Sequence, residues 1–105
     1  MKLTHWWQKH LHPEQLRLSA GQRTYARGQH YLNTWRVLSA ELTGDVLIAQ
    51  VQGTQLYQVR IWRRNTQLQT ACTCPFAAEG AFCKHAVAAA LAVNRQENEK
   101  DFPAS

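Results

Sequence analysis

Cys72-Thr73-Cys74 and Cys83-Lys84-His85 stand eight residues apart and hold every cysteine of this chain. Four soft or borderline donors in two short clusters, on either side of one loop, are what a tetrahedral structural zinc ion needs. Whatever the fold is, it has to bring 72–74 beside 83–85. If Cys72 and Cys74 end a strand, residues i and i+2 face the same way and both sulfurs reach one ion. Cys83 and His85 fall at the start of an alanine-rich segment that reads as a helix. The positive end of a helix favours thiolate over thiol. Three thiolates and a neutral imidazole leave such a complex with one negative charge, which Lys84 can offset. Four protein ligands close the coordination shell, so the ion would be structural, with no position for water or substrate.

Three other readings of the cluster compete. A disulfide is disfavoured because the cysteines are odd in number and an i, i+2 pair on a strand is badly placed for one. A cysteine nucleophile activated by His85 would lack the third group that orients the base. Buried free thiols are the ordinary fate of a lone cysteine, not of four donors this closely spaced. The expectation is therefore one zinc ion held by Cys72, Cys74, Cys83 and His85.

At 105 residues the chain is one domain at most. It can bury only a modest core, which a metal staple would supplement. Twelve lysines and arginines against seven acids give +5, a balance that admits an acidic partner without requiring one. No apolar run approaches the ~18 residues of a membrane span. The start, Met1-Lys2-Leu3-Thr4-His5-Trp6-Trp7, lacks the apolar stretch of a signal peptide. Thiols that ligate zinc suit a reducing cytoplasm.

Leu3, Trp6, Trp7 and Leu11 recur at helical spacing, and Pro13 ends that segment. Two adjacent tryptophans either cap the core or offer a sticky surface to a partner. His5, His10 and His12 are too loosely spaced for a second metal site and are expected in solvent. A helical stretch follows over 14–34, divided near Ser19-Ala20-Gly21 with a new N-cap at Ser19. Tyr25, Gly28, Tyr31 and Leu32 mark its apolar face. Gly28 costs helix stability, which close packing against a strand would explain. Strands are expected over 35–42, 46–51, 55–63 and 67–72, with turns at Thr43-Gly44-Asp45, Gly53-Thr54 and Arg64-Asn65-Thr66. A helix over 84–95 closes the fold, and a polar tail to Phe102-Pro103-Ala104-Ser105 should fray. Between the ligand pairs, Phe76 and Phe82 would shield the metal and Gly80 would turn the chain back.

This pattern predicts an α+β fold. N-terminal helices pack on a three- to four-stranded antiparallel meander, and a structural zinc joins the last strand to a C-terminal helix. The divisions are 1–18, a helical segment; 19–95, the metal domain with its helix and sheet; and 96–105, the tail.

Two basic groups suggest nucleic acid. Arg17, Arg23, Arg27 and Arg36 fall in a stretch, 15–40, that has no acid. They mark either a solvated helix face or a strip for phosphates. On the third strand Tyr57, Val59 and Ile61 alternate with Gln58, Arg60, Trp62 and Arg64. An Arg60-Trp62-Arg64 face can contact phosphates and stack a base, unless Trp62 packs under a neighbouring element.

At the two ligand clusters the chain resembles the SWIM-type zinc finger, whose pattern is Cys-x-Cys, a variable spacer, then Cys-x-His. Cys74-Pro75-Phe76 and the run from Phe82 through Cys83-Lys84-His85-Ala86-Val87 to Ala92 are similar to its usual flanks. Arg27-Gly28-Gln29-His30-Tyr31, Arg36-Val37-Leu38 and Tyr57-Gln58-Val59-Arg60-Ile61 are similar to the region before the finger in many bacterial members. The resemblance covers roughly residues 20–93. It implies a zinc-stabilised module proposed to bind DNA or protein, often within larger proteins such as chromatin-remodelling-type helicases and transposase-related proteins.

Two functions remain in view. One is nucleic-acid binding, DNA first, through Arg60, Trp62, Arg64, Arg23, Arg27 and Arg36. The other is a protein-interaction module, accessory to a helicase-like or DNA-processing assembly, with Trp6 and Trp7 as anchors. No paired carboxylates and no phosphate-binding glycine loop point to an enzyme or a small-molecule substrate.

Overall fold

The computed structural model describes residues 5–74 and 82–101. The expectations for Leu3, Phe76, Gly80 and 102–105 lie outside the described residues. Three helices come first: α1 (His5–His10), α2 (Pro13–Ala20) and α3 (Gln22–Asn33). Four strands follow, β1 (Val37–Thr43), β2 (Val46–Gln52), β3 (Leu56–Arg64) and β4 (Gln67–Cys72). The helix α4 (Lys84–Asp101) ends the described chain. The strands form one antiparallel sheet in the order β1-β2-β3-β4, as local connections through tight turns require. The fold is α+β.

Alternation sets which side of the sheet is covered. Leu47, Ala49, Val51, Val59 and Ile61 are fully buried on one face, while Ile48, Gln50, Gln58 and Arg60 between them are exposed on the other. The covering layer is α4, which contacts all four strands and, on its other side, α3. Its residues 85–93 are buried throughout, as expected of a helix apolar all round. Alanines at 86, 88, 89, 90 and 92 give it a slim profile between two layers. The helix expected simply to lie on the sheet is thus enclosed by sheet and helices.

Several expectations are corrected. The break between α2 and α3 falls at Gly21, within the expected Ser19-Ala20-Gly21, but the N-cap of α3 is Gly21 and not Ser19. Gly21 has φ 89 and ψ 154, a conformation closed to residues with a Cβ, and no side chain caps α3. His12 caps α2 instead: its Nδ1 accepts from the Glu14 N–H at 3.2 Å. His10 is not free in solvent either, since it stacks on Trp6 with ring centroids 4.0 Å apart. The final helix runs to Asp101, six residues past the expected end at 95, because 96–101 contain good helix formers and no glycine or proline. The expected divisions after 18 and after 95 both fall inside helices.

Trp6 and Trp7 cap the core and do not form a free sticky surface. Trp7 is 2% exposed, and Trp6 packs edge-on against it at 5.1 Å. The Arg63 guanidinium lies over the outer ring of Trp6, 4.8 Å from its centroid. The first strand begins at Val37, not at Trp35. Trp35 has φ 63 and follows the end of α3, where its N–H donates to Leu32 and that of Arg36 to Tyr31.

Gly28 packs against α4, not against a strand. A Cβ there would overlap the Val87 side chain and stand 3.1 Å from the Lys84 carbonyl. This crossing fixes the first turn of α4 against α3. Gly28→Ala should destabilise the zinc-loaded protein by about 1–3 kcal/mol, the usual cost of overpacking. Adding Val87→Ala should recover much of that loss. Urea unfolding of both variants checks the pair.

Candidate metal centre

The four donors come from two structural devices. Cys72 is the last residue of β4 and pairs with Val59, on the covered face of the sheet. Just past it, the Thr73 N–H donates to the Gln58 carbonyl at 3.1 Å, and the Gln58 N–H donates to Thr73 Oγ1 at 3.0 Å. This reciprocal pair pins Thr73 to β3, so the chain leaves the strand without swinging away. Cys72 and Cys74 therefore stay on one side, and Cys74 is buried.

Cys83 is the cap of α4. Its carbonyl accepts from the Val87 N–H at 3.0 Å, and its sulfur accepts from the Ala86 N–H at 3.4 Å. A sulfur thus does the work usually done by a serine or aspartate oxygen. His85 follows in the first turn and is 2% exposed. Its Nδ1 lies 3.8 Å from the Cys72 sulfur and 3.9 Å from the Cys83 sulfur. The four donor atoms all lie within 4.8 Å of one another.

These distances fit zinc. Bond lengths of about 2.3 Å to sulfur and 2.0 Å to nitrogen set the edges of a tetrahedron at roughly 3.5–3.8 Å. Nδ1 is the nitrogen that faces the sulfurs. Nε2 is turned away, buried and without a hydrogen-bond partner. Tyr57 tilts against the His85 ring at 4.6 Å, and the Tyr31 ring meets it edge-on at 5.1 Å. Two aromatic walls thus fix the imidazole where a carboxylate or carbonyl commonly would.

The protons of the cluster point the same way. The Cys83 thiol is lowered to about 4, first by the hydrogen bond from Cys72 and then, against the effect of burial, by His85 and the Ala86 N–H. Cys72 is pushed well above the usual thiol range by that same hydrogen bond to Cys83 and by burial. One sulfur can be ionised cheaply, but a second negative charge beside it cannot. A divalent cation removes the conflict, and zinc fits the donor set.

Around the centre, a cavity of about 360 Å³ is lined by Arg27, Cys74, Phe82, Cys83, Lys84 and His85, together with Thr24. Phe82 is half-buried there and packs on the core. Lys84 Nζ and the Arg36 guanidinium each lie 5.2 Å from the Tyr31 ring centroid. The cations therefore reach the metal's surroundings through Tyr31.

The six residues expected at a nucleic-acid surface do not form one patch. Arg60 and Arg64 are exposed, and Trp62 is half-buried, on the open face of the sheet. Trp62 stands between Val46 and Gln69, and Arg60 between Ile48 and Ala71. Arg23 and Arg27 are exposed on α3, on the far side of α4 from that face. Arg36 lies between α3 and β1, where its carbonyl accepts from the Gln52 N–H. Sequence reasoning missed Tyr31 and Tyr57 as walls of the metal site, because tyrosines at core spacing give no signal of which atom they shield.

In comparison with known proteins, the SWIM zinc finger family model aligns with residues 57–94, which span most of the third strand, the fourth strand, all four donors and the first turns of α4. That family is a binding module rather than a catalytic one. No curated protein and no solved structure matches the chain. No helix among the described residues is long and apolar enough to cross a membrane.

Cys74→Ser, Cys83→Ser and His85→Ala should each abolish stoichiometric zinc and unfold the C-terminal half, since binding energy in small metal domains is folding energy. Circular dichroism with metal analysis checks this. Because Cys72 must give up its proton to the metal, zinc affinity should rise with pH, by about tenfold per unit for each proton released. Competition against a chelator at two pH values measures the slope.

Proposed function

We propose, since residues 57–94 match the SWIM zinc finger family model, a zinc-stabilised module that binds nucleic acid, DNA first, through the open face of its sheet. The observation that supports this reading is the line Arg60, Trp62, Arg64 on one side of β3. Two guanidinium groups two residues either side of a half-exposed indole offer phosphates and a base a joint contact. One carboxylate, Glu41, shares that face, and β2 stands between it and Arg60. An open sheet with a stacking aromatic suits an unpaired strand better than a duplex. Arg23, Arg27 and Arg36 would act at longer range, as a basic field on another side of the molecule.

Zinc in this reading holds the fold and does no chemistry, and we assign no catalytic role. A reducing compartment such as the cytoplasm would keep the thiols available. The alternative is a protein-interaction module, accessory to a helicase-like or DNA-processing assembly. Its original anchors, Trp6 and Trp7, face inward. An exposed tryptophan elsewhere gives it a separate basis.

Fluorescence anisotropy with labelled single- and double-stranded DNA at two salt concentrations tests the proposal. Affinity for single strands should fall with salt at a log–log slope of about −0.7 per phosphate contact. The double variant Arg60→Ala/Trp62→Ala should lose about tenfold or more, with stacking contributing roughly 1–3 kcal/mol of that. No binding to either probe at low salt would refute the reading.

A further inference from the structure

Trp35 is 88% exposed, more than any other large apolar side chain among the described residues. It also holds a left-handed backbone, φ 63, at a position after a helix where glycine is the usual occupant. Neither feature helps the fold. A bulky residue kept in a strained conformation and in water points to a contact the isolated chain does not make.

Its surroundings define that contact. Trp35 helps to line a groove of about 350 Å³, together with Leu32, Val37, Ala40 and Ala92. Leu38, 56% exposed, stands at its rim. The pairing of β1 with β2 is irregular between Val37 and Ser39, a bulge that turns Leu38 away from regular register. β1 is an edge strand, so beyond the bulge one side of its backbone is unpaired. Val37–Thr43 contains no lysine and no proline, and its one charge, Glu41, stands on the open face of the sheet, away from the groove. Among the described residues the charged one lining the groove is Arg95, held by Asn33 at 3.4 Å, and Arg36 follows Trp35 in sequence.

We propose that this groove docks an extended acidic segment of another protein, added to β1 as a fifth strand with an apolar side chain against Trp35. Main-chain pairing at the edge would supply affinity, and the groove and Arg95 the choice of sequence. Arg95 in the groove and Arg36 next to Trp35 favour an acidic partner, and the net charge of +5 on each chain disfavours a second copy. The surface is separate from Arg60, Trp62 and Arg64, so the proposal stands independently of the nucleic-acid reading.

The test is a random-peptide library on phage, panned on the zinc-loaded chain with counter-selection on Trp35→Gly. A synthetic copy of the selected peptide is then titrated in amide-resolved NMR. The expected result is a consensus that alternates apolar residues with Asp or Glu and shifts amides of 35–43. Affinity should fall by about tenfold in Trp35→Gly and several-fold in Arg95→Glu. Trp35→Gly should melt at the same temperature or higher, so lost binding is not lost folding. Selection of no Trp35-dependent peptide, or shifts confined to other surfaces, would overturn the proposal. So would a dimer in sedimentation that Trp35→Gly dissolves, or single-stranded DNA binding that depends on Trp35.

Discussion

The sulfur of Cys83 has two jobs, and the rest of the structure depends on their coincidence. It caps α4 by accepting the Ala86 N–H, and it lies in the donor cluster with Cys72, Cys74 and His85. The same atom therefore starts the central helix and ties that start to the end of the sheet. Without a cation only one of the two sulfurs is ionised, because the hydrogen bond to Cys83 and burial hold the Cys72 thiol up. A divalent cation lets both serve as thiolates, and the helix is fixed where it enters the core. A chain this short has few other ways to hold a helix between two layers.

Much of this was legible. The spacing of Cys72, Cys74, Cys83 and His85 announced one site, and alternation along 46–51 and 55–63 announced a half-covered sheet. What was not legible depended on contacts between distant segments. Gly28 signalled close packing, but only the fold shows that Val87 of α4, not a strand, fills the space. Trp6 and Trp7 carried no sign of which way they face. Trp35 misled most: followed by Arg, Val and Leu it continues a strand pattern, and nothing local announces a left-handed backbone at a tryptophan. Ser19 is a good cap by residue type, yet Gly21 alone could take the conformation the turn demands.

The metal, the open sheet face and the β1 groove are three different places on one small scaffold. The zinc site lies where β4 ends and α4 begins, and it shapes the other two only by fixing how sheet and helices meet. Arg60, Trp62 and Arg64 sit on the sheet face opposite α4, whereas Trp35 and Arg95 lie at the sheet's edge. The two surfaces share no residue.

The most direct measurement is zinc K-edge X-ray absorption on the purified protein, with metal counted per chain. The expected result is one zinc, with three sulfurs at about 2.3 Å and one nitrogen at about 2.0 Å. A shell with two sulfurs, or with a water oxygen in place of the imidazole, would contradict a closed structural centre and reopen the question of chemistry at the metal.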